Sequence, residues 1–477
     1  MSADVLRWPV IGSFLRWRRA RTVLQLVFLV VATAVVLHGL FGPQLAPASL
    51  ATVVTWVHYR GLLVVALLAA GNVFCTGCPF VLVRDAGRRV RGAPWLRWPR
   101  RLRTKWLGVA LFAGVLFAYE LFDLWSLPRA TAWLVLGYFG AALAVDLVFT
   151  GATFCKHLCP IGQFNFVAST ISPLEVQVRQ PETCRTCSTA DCIKGRRETS
   201  SGRVLQRGCE LGLFLPSKVG NLDCTLCLDC VQACPHDNVA LATRVPGLEL
   251  TEARRRSGIG RLAARPDVAV LVVLFVFGGL LNAFAMVSPV YAVEAWLSAA
   301  LGLAREAPAL ALLFLGALVI VPLVLVGGAS VLTPAVAGSP LRTAGRTFTT
   351  FVHALVPLGF GIWLAHYGFH LLTGALTVIP VTQSAMIDAV GWPALGAPLW
   401  GWTGMRPGSV YPMQVGLLLL GASGSLGLAY LIAEREHADR PLRTAAPWMV
   451  VTLGLTAAAL WTLAQPMEMR GLVGLGG

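Results

Sequence analysis

A chain of 477 residues that is 56% hydrophobic and only 13% charged, with mean hydropathy +0.69, is too apolar for a soluble protein of this size. It reads as a polytopic membrane protein. The net charge of +16 fits the arginine excess of loops on the inner side of a membrane. Nucleic-acid binding is excluded, because the arginines flank apolar runs and do not cover a soluble face furnished with aromatic stacking residues.

In chain order, the first 22 residues carry Arg7, Arg16, Arg18, Arg19 and Arg21 and are expected inside. Residues 23–41 form a first span, close to the roughly 20 residues a bilayer requires. It lacks a small-residue cleavage site and reads as an uncleaved span. An outer segment, 42–60, leads to a second span at 61–83, with Cys75 and Cys78 near its inner end. Residues 84–105 hold nine Lys or Arg and one acid, the strongest inner-side marker in the chain. Spans three and four follow at 106–125 and 133–154, the latter ending at Cys155 and Cys159. Residues 165–265 are polar and form an inserted cytoplasmic domain. Five more spans are expected at 268–288, 310–332, 351–372, 414–433 and 448–464. Arg342, Arg346, Arg435, Arg440 and Arg443 mark inner loops, and the nearly uncharged segment 373–412 falls outside. Nine spans put the N-terminus inside and the C-terminus outside. The domains are then 1–164, a four-helix membrane domain; 165–265, a ferredoxin-like domain; and 266–477, a five-helix membrane domain.

The chemistry is concentrated in cysteine. Cys224, Cys227, Cys230 and Cys234 stand in the order C-x2-C-x2-C-x3-C-P, ending at Pro235. This is the bacterial run for a [4Fe–4S] cluster, whose fourth cysteine ligates the other cluster of a pair. Zinc would call for two separated CxxC pairs rather than one run of four. The upstream cysteines Cys184, Cys187, Cys192 and Cys209 supply the second set. Cross-ligation groups Cys184, Cys187 and Cys192 with Cys234, and Cys224, Cys227 and Cys230 with Cys209. The upstream spacing is irregular, and Cys192 and Cys209 are interchangeable on sequence alone. A reducing compartment suits these ligands and disfavours disulfides.

Four further cysteines lie on an internal repeat. Gly71-x-x-Phe74-Cys75-x-x-Cys78-Pro79 is matched by Gly151-x-x-Phe154-Cys155-x-x-x-Cys159-Pro160. Packed about a pseudo-twofold axis, Cys75, Cys78, Cys155 and Cys159 would meet at the inner membrane face. They would there hold a cluster or another soft metal, or cycle as redox dithiols. The basic segment 84–105 and Lys156 are expected to favour thiolate. The prolines are expected to unwind the helices at the pairs. Asp146 and Glu120, acids within spans, suit either a quinone or proton role or helix–helix hydrogen bonding. His353, His366 and His370 read as packed histidines in preference to haem ligands. Met413, Met467 and Met469 read as ordinary packing in preference to a copper site.

Two helix-end Cys-Pro pairs followed by a two-cluster segment resemble the membrane polyferredoxins, including NapH-like, NosR and CcoG proteins. The resemblance covers about residues 20–245. Its first pair here is C-x2-C-P, where those relatives have C-x3-C-P. Residues 266–477 resemble the membrane iron–sulfur protein FesM. The resemblance implies a mainly α, polytopic helical protein of the bacterial inner membrane with two [4Fe–4S] clusters. It implies electron relay between a quinol or soluble donor and a redox partner, a cytochrome, reductase or oxidase, in a respiratory or photosynthetic chain. Three other readings remain: a metal-reducing assembly factor for a terminal oxidase or reductase, a transporter whose path is the five-helix domain, and a structural anchor for a partner complex.

Overall fold

The computed structural model describes residues 3–198, 200–201, 204–338 and 343–468. Arg342, Met469 and the C-terminal end lie outside the described residues. Among the described residues, eight helices are long and apolar enough to cross a membrane. They are Ala20–Phe41, Leu50–Ala70, Pro128–Val148, Pro266–Phe284, Glu306–Ala337, Ala344–Thr373, Pro407–Glu436 and Pro441–Leu463. The expected third span is the shorter apolar helix Trp106–Leu121, so nine expected spans become eight long helices and this one. The chain is a mainly α, polytopic membrane protein.

The expected second span is displaced. It begins at Leu50, within the segment assigned to an outer loop, and ends at Ala70. Gly71, at φ 71°, terminates it in a left-handed conformation that suits glycine. Cys75 and Cys78 therefore lie beyond the helix end, in a broken stretch of chain.

Contacts divide the chain into two units that do not follow chain order. The first comprises Met1–Ala32, Ala66–Gly108 and Gly137–Arg265. All twelve cysteines fall in it, and all are free thiols. Its longer strand pair joins Leu174–Val178 antiparallel to Val239–Thr243, with Val176 opposite Leu241. These strands bracket the cysteine run in the chain. A short pair, Arg196–Arg197 with Val204–Gln206, lies between the two cysteine sets.

The second unit comprises Thr33–Val65, Val109–Leu136 and Pro266–Gly477. Pro266–Phe284 and Ala344–Thr373 are its central helices, each with 83% of its most apolar window buried. Gly361 and Gly421 let two helices touch: a Cβ on Gly421 would stand 2.8 Å from the Pro357 carbonyl oxygen. The Trp363 indole donates to the Phe275 carbonyl at 2.7 Å.

Candidate metal centre

The C-x2-C-x2-C run is shaped by backbone that ordinary residues avoid. Leu226 and Leu228 adopt φ 45° and 59°, and Asp223 adopts φ 64°. These turns bring the Leu226 N–H onto Cys224 and the Asp229 N–H onto Cys227, the kind of main-chain donation that Fe–S sites use. Leu226 and Leu228 are both buried, which holds the loop in this strained form. Ala190, two residues before Cys192, repeats the device at φ 53°.

The eight thiols sort into two sets. Burial raises the Cys192 thiol to about 11, followed by the influence of Cys234, Cys184 and Cys187. Asn238 ties the ends of this set together: its N–H donates to Cys234 Sγ at 3.4 Å and its Nδ2 to Cys184 Sγ at 3.3 Å. Cys187 differs from its partners. The Ala190 N–H first, and the Thr189 hydroxyl after it, lower it to about 7. In the other set, burial first and neighbouring thiols after it push Cys224, Cys227 and Cys230 upward, and Cys209 is among those neighbours for all three. The Leu213 N–H donates to Cys209 Sγ at 3.4 Å. The structure thus brings Cys192 to Cys234 and Cys209 to the central run, although Cys209 N–H also bonds the Cys192 carbonyl at 2.9 Å.

The Cys-Pro repeats have a shared local design. Gly71 and Gly151, at φ 71° and 81°, end the preceding helices. Pro79 and Pro160 occupy the first positions of the new helices Pro79–Arg91 and Pro160–Ala168, and Cys78 and Cys159 cap them. The prolines therefore start helices here, because a proline at the first position forfeits an N–H that would have no partner anyway. The helical path is thus interrupted at each pair, as expected, and resumes at the proline. Cys159 Sγ accepts the Gly162 N–H at 3.3 Å. The two repeats differ by one residue, and a π turn absorbs it. Residues Phe154–Leu158 form that wide turn, closed by Cys159 N–H to the Phe154 carbonyl at 2.8 Å. The shorter pair closes with Cys78 N–H to the Cys75 carbonyl at 3.5 Å.

These four thiols lie within electrostatic reach of one another: Cys78, Cys159 and Cys75 all act on Cys155. Burial dominates their chemistry and pushes Cys75 up to about 12, with Cys78 and Cys159 also raised. Arg21 and Arg84 oppose burial at Cys78 and are outweighed. Lys156 is turned away, donating to the Leu211 carbonyl at 2.6 Å. The expected thiolate therefore does not follow from basic neighbours; a bound cation would have to displace the protons. The Asn165 Nδ2 stands 3.6 Å from Cys75 Sγ. Among the described residues, no three His, Cys, Asp or Glu side chains are gathered closely enough to hold one metal ion. A cubane instead presents four separate irons and takes one thiolate at each. The N–H donors on sulfur fit such thiolate sites.

Hydrogen bonds join the repeat to the central run. Asn72 Nδ2 reaches the Cys224 carbonyl at 3.1 Å, and Thr76 Oγ1 reaches the Leu226 carbonyl at 2.7 Å. Arg84, 1% exposed, binds Asp85 and both Glu210 oxygens at 2.8 Å and faces Asp146 at 3.6 Å. Burial raises the Glu210 carboxyl, but Arg84, Arg21 and Arg207 together hold it below the usual carboxylate range. Arg21 pairs with Asp229 at 2.5 Å. As sequence, Arg21 and Arg84 register only as inner-side charge. Their burial is the signal that singles them out, and it exists only in the fold.

The remaining residues take structural places. Asp146 accepts the Phe154 N–H at 2.8 Å and so anchors the π turn. Glu120 accepts from Asn282 Nδ2 at 3.3 Å, a bond between helices. His366 and His370 share the helix Val356–Thr373 and touch each other edge to face at 5.0 Å; His353 is buried in the preceding turn. Met413 and Met467 are exposed. Arg60, placed by sequence in an outer loop, is instead caged by Trp56, Tyr119 and Tyr367, with ring centroids 4.6 to 4.9 Å away.

Comparison with known proteins finds ferredoxin-type relatives. The methylamine utilization ferredoxin-type protein MauN of Methylobacillus flagellatus is 28% identical over 212 residues, 40% of this chain and 70% of the relative. MauN of Paracoccus denitrificans is 28% identical over 160 residues, and the ferredoxin-type protein NapH of Escherichia coli is 28% identical over 196. The chain is related to the NapH-like membrane polyferredoxins. The matches span 53% of the Paracoccus protein and 64% of NapH, and 30% and 37% of this chain. More than half of this chain therefore lies outside each match. No protein-family profile matches the chain, and no solved structure does.

Proposed function

We propose that this chain is a membrane-bound iron–sulfur electron relay. Cys184, Cys187, Cys192 and Cys234 hold one [4Fe–4S] cluster, and Cys209, Cys224, Cys227 and Cys230 hold a second. When bound, the clusters supply one-electron transfer, with potentials set by burial and by hydrogen bonds to sulfur. The observation that supports this reading most is Asn238, which donates to both Cys184 and Cys234 although they are fifty residues apart in the chain.

Cys75, Cys78, Cys155 and Cys159 form a third centre that takes a soft metal or cluster. Burial supports metal over disulfide cycling here, since a thiol raised to about 12 supplies little nucleophilic thiolate. The bonds of Asn72 and Thr76 to the 224–226 loop give the third centre a direct structural link to the second set. The donor is a quinol or a soluble carrier, and the acceptor a cytochrome, reductase or oxidase of a respiratory or photosynthetic chain. The membrane is the bacterial cytoplasmic membrane, with the cysteine-bearing unit on the cytoplasmic face and the C-terminus opposite. The basic segment 84–105 supports that orientation.

The test is anaerobic purification with iron analysis and EPR. The two sets should account for about eight iron atoms, by the four-iron stoichiometry of each cluster. Cys184→Ala and Cys234→Ala should remove the same signal, and Cys209→Ala the other. A protein in which Cys184→Ala and Cys234→Ala remove different signals would overturn the pairing.

A further inference from the structure

The N-terminal segment carries a surface that the electron-relay reading does not use. The helix Pro9–Arg16 and its flanks expose five large apolar side chains within ten residues. Trp8 is 47% exposed, Val10 81%, Ile11 49%, Phe14 39% and Trp17 48%. Arg7, Arg18 and Arg19 are exposed beside them. Three residues after Trp17 the chain enters the membrane helix Ala20–Phe41, whose exposed Val23, Leu26, Val27, Val30 and Val31 must face lipid. The apolar surface of the short helix is thus continuous in sequence with a lipid-facing one.

The opposite side of the same segment is fastened to the cysteine-bearing domain. Val5 and Leu6 are buried in the core formed by Leu226, Leu228, Cys230 and Leu241, against which Cys192, Cys224 and Cys234 also pack. Asp4 accepts from the Leu241 N–H at 3.2 Å and pairs with Arg179 at 2.8 Å. Arg16 donates to the Leu6 carbonyl at 3.1 Å, and its own carbonyl accepts from Gln232 at 3.2 Å. Gly12 permits this fold-back, since a Cβ there would collide with the Leu6 carbonyl.

We infer that residues 7–19 are an interfacial strap that binds the surface of an anionic bilayer. Tryptophan and aliphatic side chains enter the headgroup boundary, where aromatic residues are favoured. Arg7, Arg18 and Arg19 meet lipid phosphates. The partner is the lipid leaflet itself: the apolar face lies directly before a span, and residues 7–19 carry four arginines and no acid. The strap seats the cysteine-bearing domain on the membrane, because Val5 and Leu6 at its start are part of that domain's core.

A photo-crosslinking amino acid at Val10 tests this in the full-length, cluster-loaded protein. The protein is placed in nanodiscs of phosphatidylcholine with or without phosphatidylglycerol. The same probe at the exposed Glu182 of the cysteine-bearing domain serves as the reference, and visible absorbance checks that each sample is folded. Val10 should give lipid adducts, enriched in phosphatidylglycerol, and Glu182 should not. Arg18→Gln and Arg19→Gln should each lower the ratio of docked to free strap in the anionic discs by about fivefold, the equivalent of ~1 kcal/mol per basic residue at an anionic surface. Equal lipid labelling from the two positions overturns the inference. So does labelling of protein instead of lipid from Val10, or a yield indifferent to both arginine substitutions.

Discussion

Replacing Arg84 with glutamine should be among the most damaging single changes in the cysteine-bearing unit. The guanidinium is 1% exposed and serves Asp85, Glu210 and Asp146 at once. Its loss leaves carboxylates buried without their shared cation, a change that costs about 3–5 kcal/mol. Arg21 and Arg207 also act on Glu210, so the lower figure, about 3 kcal/mol, applies. In a unit of this size each kcal/mol moves the melting midpoint by about 2–4 °C, giving a fall of about 6–12 °C. The assay is thermal bleaching of the visible absorbance in detergent, with Arg84→Lys expected to fall between variant and parent. The acid limb should move as well. Glu210 is held low in the folded protein, so its contribution is present above the ordinary carboxylate value, near ~4.3, and is lost as pH falls through the lower folded value. Without Arg84 burial is less opposed, and unfolding should begin at higher pH. A midpoint shift below about 3 °C, with an unchanged acid limb, would refute the claim that Arg84 compensates this cluster of acids.

Asn238→Leu removes the side-chain donor to Cys184 and should lower the potential of that centre, because the added electron is then less stabilised; an EPR-monitored redox titration reads this. Asp146→Leu leaves the Phe154 N–H without its acceptor and should cost about 1–3 kcal/mol, read as a loss of metal at Cys155 ahead of any loss at Cys184. Arg60→Leu strips the cation from three aromatic faces and should lower the stability of the second unit by about 2 kcal/mol or more, with Arg60→Lys milder; thermal aggregation in detergent distinguishes them.

Much was decided in the chain itself. Apolar runs near the length of a bilayer determine which segments span, because unsatisfied backbone cannot remain in lipid. The C-x2-C-x2-C-x3-C-P spacing marks Cys224, Cys227, Cys230 and Cys234 without any tertiary information. Duplication of the Gly-x-x-Phe-Cys lead likewise marks Cys75 and Cys155 as a pair of equivalents. Helix ends were less legible. The second span slipped by eleven residues in expectation because the run 50–60 carries Arg60, and a single arginine looks like a boundary until three aromatic rings are seen to enclose it. Only the tertiary structure brings Cys192 near Cys234 and Cys209 near the central run, since their irregular spacing allows either grouping and distant thiols meet only in the fold. It also decided the state of the Cys-Pro thiols. Sequence counts the neighbouring arginines and lysines, whereas the fold buries Cys75, and desolvation outweighs Arg21, whose charge is already engaged by Asp229.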